Sequence, residues 1–349
     1  MNTLIKKILL ALLMFIPLSI FAQSVRAAHY VRGDVNLSSK VDVADVTSLI
    51  SKVLAGGSDD PKYDVNFDGK ADIGDVTELI HYVLTGSWNT PDYVGPLLPQ
   101  DAEIYTVNGV SFAMLPVQGG TFMMGIGDTY RIYPNSHASH QVTLSDFKIG
   151  VTEVTQALWE AVMGENPTPV AYQSEGGLRP VCSVSWNDCN MFIQRLNELT
   201  GMNFSLPTDA QWEFAARGGN LSQGFLFAGS DNIDEVAWYY NHEVLPPALP
   251  GLKKANELGL YDMSGNVSEW CYDDIMMVSN SNVPPTVDPV FTREPYTGEP
   301  AYRDMVMRGG NRFLYALGER EYCTVYSRWS EPINSNMPFF GMRLAIWPQ

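Results

Sequence analysis

The sequence predicts two folded units of different class: a small all-α module built from a duplicated loop and helix, followed by one α+β domain of short strands and long loops. Three observations point there. Residues 34–54 and 64–84 repeat each other. From residue 102 onward, short alternating apolar runs are set between glycines. Three segments of that second part carry matched helix start and stop signals. The chain has 349 residues, 45% of them hydrophobic and 11% aromatic, enough for packed cores in about two or three domains.

The amino terminus opens with Lys6-Lys7, then an apolar run from Ile8 to Phe21 broken only by Pro17 and Ser19, then Ala22-Gln23. That order predicts a secretory signal peptide over residues 1–23, because the run is short for a membrane span and polar chain follows it directly. No cysteine follows to take a lipid anchor. The expected mature chain is therefore secreted (extracellular, cell-surface or periplasmic) and has no membrane span after signal removal. A formal net charge of −17, with no basic run, argues against nucleic acid as a partner.

The duplicated unit occupies residues 30–87. Its copies read "DVNLSSKVDVADVTSLISKVL" and "DVNFDGKADIGDVTELIHYVL", with roughly half the positions identical. In the second copy, Asp64, Asn66, Asp68, Asp72 and Asp75 fall at positions one, three, five, nine and twelve of an EF-hand-type loop, and Gly69 takes the sharp turn at six. Asp34, Asn36, Ser38, Asp42 and Asp45 hold the same offsets in the first copy, where Ser38-Ser39 replaces Asp-Gly, so weaker calcium binding is expected there. Hard oxygen donors in this alternation let one loop wrap one calcium ion; ten matched positions speak against a merely acidic surface repeat. After each loop, Val46, Leu49, Ile50, Val53 and Leu54, and again Val76, Leu79, Ile80, Val83 and Leu84, predict a helix with one buried stripe. Loop then helix, twice, with Asp at position twelve, resembles a type I dockerin. The resemblance implies calcium-dependent folding and docking onto a cohesin-like module or surface assembly protein. In that family, loop positions ten and eleven help select the partner; here they are Val43-Ala44 and Ile73-Gly74.

Residues 88–101 lose periodicity and gain Pro and Gly, which predicts a semi-extended linker. The α+β unit fills residues 102–349. "VSFAMLPVQGGTFMMG" alternates apolar residues around a Gly119-Gly120 turn, predicting strands on either side. "TEVTQALWEAVMG" predicts a helix capped by Thr152 or Thr155 and stopped by Gly164, and a second helix runs from about Asn187 to Thr200. Thr208 and Gln211 form a capping box after Pro207 and start a third helix, ending at Gly218.

In order, "VQGGTFMMG", "IGVTEVTQALWEAVMG", "RPVCSVSWNDCNMFIQRLN", "LPTDAQWEFAARGG", "NELGLYDMSGNVSEWCYD", "MRGGN" and "GMRLA" resemble the formylglycine-generating enzyme, or sulfatase-modifying factor, family from about Tyr105 to Ile346. The resemblance implies an irregular C-type-lectin-like fold with bound calcium. By family position, Asp262, Gly265, Val267 and Glu269 match the ligands of one calcium site, two side-chain carboxylates with two turn carbonyls. The competing reading has Asp262 and Glu269 only capping a turn. Val236 and Ala237 stand where a second family site begins, so one site is expected in this domain.

Active members of the family hold copper(I) between two thiolates five residues apart, shortly after "RGGS", because soft copper(I) needs paired sulfur. Here those positions fall near Leu314 and Glu319, and neither is Cys. Cys323, the weak candidate for a catalytic thiol, lies beyond both. Copper is not expected. A structural Cys271–Cys323 disulfide or two buried thiols is the simpler reading, and Cys182 and Cys189 stay open between pairing and burial as free thiols. The usual second Trp of the family's "GNVWEW" is Ser268. His29, His81, His137, His140 and His242 show no paired metal-ligand spacing. The expected function is thus a non-catalytic binding or scaffold protein, with a glycan or peptide as ligand and Trp159, Trp186, Trp212, Trp238, Trp270, Trp329 and Trp347 divided between core and surface. The alternative is an atypical copper- or iron-dependent oxidase of protein or small-molecule thiols.

Overall fold

The computed structural model describes residues 33–36, 38, 40–56, 63–66, 71–87, 95–126, 139–174, 177–239, 246–275, 284–292, 303–312 and 319–347. The predicted signal segment, the loop residues Asp68 and Gly69, and Leu314 lie outside these.

The duplicated unit forms two helices, α1 (Val43–Leu54) and α2 (Ile73–Thr85). Each starts on an Asp N-cap, Asp42 or Asp72, and each cap is closed by an acidic residue three places on, Asp45 or Asp75. Leu49, Val76 and Leu79 pack with Val35 and Val65 from the loops, flanked by Val46, Val53 and Val83. The single stripe expected from the sequence splits in two. Ile50 and Leu54, and likewise Ile80 and Leu84, are exposed. One partner helix can cover only one line of a 3.6-residue repeat, so the line through Val46, Leu49 and Val53 is buried and its neighbour is not.

The α+β unit is built on three sheets. The first runs β1 (Glu103–Val107), β2 (Val110–Val117), β5 (Phe147–Gly150), β12 (Ala345–Ile346), β6 (Phe204–Ser205). The second runs β10 (Arg328–Pro332), β9 (Asp304–Arg308), β7 (Ser268–Asp274), β11 (Phe340–Gly341), and the third β3 (Gly120–Met124), β4 (His140–Leu144), β8 (Thr286–Val287). The glycine turn at 119–120 is therefore not a hairpin. β2 pairs with β1 and β5, whereas β3 leaves for β4. Gly119 permits this change of sheet, since a Cβ there would lie 2.2 Å from the Leu144 carbonyl oxygen.

Three helices fall where the sequence placed them, two of them on their predicted caps. α3 (Gln156–Met163) is capped by Thr155 and stops at left-handed Gly164; α4 (Trp186–Thr200) is capped by Ser185 and stops at Gly201. α5 (Asp209–Ala216) has the Thr208–Gln211 capping box and is buried throughout. Two one-turn helices, α6 (Ile233–Val236) and α7 (Glu319–Tyr322), follow. Trp159 stacks on Phe192, with ring centroids 4.8 Å apart, to join α3 to α4 in one core. Trp212 and Phe214 of α5 fill a second core with Met263, Cys271 and Val306. Part of the linker is docked rather than free: Pro96 abuts Gly251, Pro99 abuts Gly259, and the Tyr261 hydroxyl donates to the Leu97 carbonyl at 3.0 Å. Among the described residues no helix is long and apolar enough to cross a membrane.

Candidate functional site

In the first repeat the Asp34 and Asp45 carboxylates are buried. Asp45 accepts from the backbone N–H of Asn36 at 3.0 Å and of Asp42 at 2.9 Å, while Asp34 and Asn36 both accept from Ser38 N–H. The second repeat reproduces this. Asp75 accepts from the N–H groups of Val65, Asn66 and Asp72 at 2.6, 3.0 and 2.7 Å, and Asp64 is again buried. The position-twelve carboxylate thus curls each loop into a closed turn, with the oxygen donors of positions one, three and nine on the same short segment. An oxygen-only donor set with buried carboxylates fits calcium. Among the described residues no three His, Cys, Asp or Glu side chains already form a metal shell. Loop carbonyls, amide oxygens and Asp68 would have to complete it.

Directly after the Arg308-Gly309-Gly310 turn, Asn311 and Arg312 are both buried. Asn311 Nδ2 donates to Ser268 Oγ at 2.6 Å, and Ser268 Oγ donates to the Gly310 carbonyl at 3.2 Å, all in the interior. Asn311 in place of the serine of "RGGS" and Ser268 in place of a tryptophan are therefore partners. The contact joins two of the motif runs, and the sequence had singled out only Ser268. Cys323 follows α7 and is fully buried among Phe227, Ile233, Val236 and Ala237. Its sulfur lies so close to Gly310 that a Cβ there would be 2.7 Å away. Burial pushes the Cys323 thiol up to about 12, which disfavours its thiolate form.

Of the two readings left open for Cys271 and Cys323, a disulfide or two buried thiols, the structure has the buried thiols. All four cysteines are free and buried, and Cys271 belongs to the Trp212 core while Cys323 belongs to the Phe227 cluster. Cys182 and Cys189 are likewise unpaired; burial pushes Cys182 up to about 12 and Cys189 well above its ordinary value.

The third cluster surrounds Arg343. Its guanidinium donates to both oxygens of Glu269, at 2.8 to 3.1 Å, and to the Gly150 and Tyr261 carbonyls. Trp212 Nε1 donates to the same carboxylate at 2.7 Å. Of the four calcium ligands read from the sequence, Glu269 is therefore the one already engaged by a cation. Asp262 differs: Oδ2 accepts from Gly251 N–H at 2.7 Å, whereas Oδ1 is buried with no hydrogen-bond partner. A third carboxylate, Glu153, accepts from Val267 N–H and from Asn266 Nδ2. It was missed in the sequence, where its signal is an acidic residue inside the apolar "IGVTEVTQ" run. Burial and the charges of Asp262 and Glu269 push Glu153 well up, and burial pushes Asp262 up to about 6. Arg343 pairs with Glu269 alone, so Glu153 and Asp262 lie buried beside it without a hydrogen bond from the guanidinium, and the orphaned Asp262 oxygen fits a hard cation. Val236 and Ala237 are buried apolar residues, with no oxygen side chain for a second site.

A chain with these two loop-helix repeats and this irregular three-sheet α+β unit is of a defined class, a calcium-loop docking module joined to a formylglycine-generating-type domain. Residues 106–347 match the sulfatase-modifying factor enzyme 1-like domain and residues 32–84 the type I dockerin domain, so the chain belongs to the sulfatase-modifying factor family and carries a dockerin. Dockerin modules generally bind calcium and imply a cohesin-type partner. Similar proteins include the chaperone protein LppX of Paenibacillus barcinonensis, 38% identical over 47% of this chain and 72% of that one. A formylglycine-generating enzyme of Streptomyces coelicolor is 30% identical over 48% of this chain and 52% of its own, and an inactive C-alpha-formylglycine-generating enzyme 2 of Bos taurus is 34% identical over 26% and 32%. The chain thus spans about half of the Streptomyces enzyme and a third of the bovine protein. Among solved structures, Treponema denticola variable protein 1 superposes with a TM-score of 0.60 at 27% identity, over 72% of this chain and all of that one. PvdO of Pseudomonas aeruginosa, at 0.58 and 20% identity, shares the fold.

Proposed function

We propose that this is a secreted, non-catalytic binding or scaffold protein whose dockerin-like module folds on calcium and docks to a cohesin-like partner. The observation that carries the non-catalytic part is Cys323: the one thiol near the expected copper position is sealed behind Gly310 and held protonated. Cys271, the candidate second sulfur, lies in another core. The bovine relative named as inactive gives the reading a precedent within the family. For docking, the support is the uncovered apolar line on both helices, which includes Val43 and Ile73 at 66% and 68% exposure. Calcium in the loops would fix those helices; Asp262 and the turn carbonyls would take one further calcium in the large domain.

Incubation of the full chain in air with copper(I) and a cysteine-containing peptide tests this reading. The expected result is an unaltered peptide, together with four thiols that resist alkylation until the protein is unfolded. Conversion of the peptide thiol to an aldehyde, lost in Cys323→Ser, would replace the proposal with the oxidase reading.

A further inference from the structure

An open groove of about 630 Å³ runs along α4 where it meets β6, lined by Asn190, Gln194, Glu198, Met202, Asn203 and Tyr272. Its size lies in the ~300–1,000 Å³ range of ligand clefts. Three of these residues, Asn190, Gln194 and Glu198, recur every fourth position and so form a row on one helix face. The row is held in place by the protein itself. Gln194 Nε2 donates to Glu198 Oε1 at 3.0 Å, and Asn190 Nδ2 donates to the Trp186 carbonyl at 2.7 Å. Beneath it, Asn197 pins the strand to the helix: its Nδ2 donates to the Phe204 carbonyl and its Oδ1 accepts from Phe204 N–H, at 2.9 and 2.7 Å. Tyr272 meets Trp347 edge-on, with ring centroids 5.5 Å apart, and Trp347 Nε1 is fixed on the Leu206 carbonyl. The floor and the aromatic ring are thus set before any ligand arrives.

The chemistry of the lining selects the ligand. None of the lining residues is basic, so an anion finds no counter-charge. Amides and one carboxylate dominate, which disfavours an apolar ligand. What matches is an uncharged polyol: the planar amides donate to and accept from neighbouring hydroxyls and the carboxylate accepts from them, while Tyr272 and Met202 meet a C–H face. We propose that this groove binds a neutral glycan segment. The inference rests on the large domain being a binding module and supplies the ligand class for it.

The test is isothermal titration of the full, calcium-loaded chain with soluble neutral gluco-, manno-, xylo- and galacto-oligosaccharides, and with a heparin-derived sulfated oligosaccharide. At least one neutral chain is expected to bind. The exposed pair Gln194→Ala/Glu198→Ala should weaken it at least tenfold with unchanged thermal melting; Tyr272→Ala should abolish binding and Tyr272→Phe largely keep it. Binding by no neutral chain, preference for the sulfated one, or unchanged affinity in the double variant overturns the assignment. A negative titration beside a negative copper assay would sink the glycan groove alone, whereas a positive copper assay would sink the non-catalytic reading.

Discussion

At the scale of single residues, a few buried side chains set the chemistry around the Gly309-Gly310 turn. Ser268 and Asn311 hydrogen-bond to each other, and Cys323 sits behind Gly310 as a protonated thiol. The missing second cysteine was legible in the sequence, because absence of a residue type needs no geometry. The Ser268–Asn311 contact was not, since residues 43 apart meet only when β7 and the end of β9 are paired. Glu153 was invisible for the same reason. Another buried acid, Asp273, offers a pH test away from these centres. Burial, and then the charge of Asp209, push its carboxyl up to about 7, although it accepts from the N–H groups of Phe291 and Asp209. An unfolded Asp titrates near ~3.9. Between those values the folded state holds a proton the unfolded chain has lost, so this residue's contribution to stability falls as pH rises through that window. Denaturant unfolding at pH 4.5 and pH 7 should show a shallower loss in Asp273→Asn than in wild type. Equal slopes would mean that Asp273 is ionised throughout.

At the scale of elements, the caps at Thr155 and Thr208 were legible because they are local, while that at Ser185 went unread. Thr155, Ser185 and Thr208 each bond a backbone N–H three residues ahead. Strand partners were not legible, because pairing depends on distant chain: the turn at Gly119 is a crossing between sheets, and the helical stripe of the repeats divides according to what covers it. Gly119 therefore has a sharper requirement than a turn glycine. In Gly119→Ala the new methyl would meet backbone of Leu144 and Ser145, which cannot rotate away. A loss of about 1–3 kcal/mol is expected, as for other overpacked sites, measurable as a lowered melting temperature of the large domain. Wild-type melting would show that the β3–β4 connection yields more readily than its packing suggests.

At the scale of the molecule, the two units rest on different kinds of stabilisation. Among the described residues the dockerin-like pair has a small apolar cluster, Val35, Leu49, Val65, Val76 and Leu79, little to hold a domain of that size unaided. The large domain has two extended cores and a buried ion-pair network in which Arg308 bridges Asp209 and Glu213. Chelation of calcium should melt α1 and α2 while leaving most of the large domain's signal intact, read as loss of helical circular dichroism with little change in tryptophan fluorescence. A single joint transition would contradict this division. The docked linker adds a constraint on reach. With Gly95 onward fixed against Gly251, Gly259 and Tyr261, only residues 88–94 separate the anchored chain from the end of the second repeat. At about 3.5 Å per residue that leash extends to at most roughly 28 Å. If both units bind as proposed, a tether of that length would make the second weak contact act as though its partner were present at about millimolar concentration.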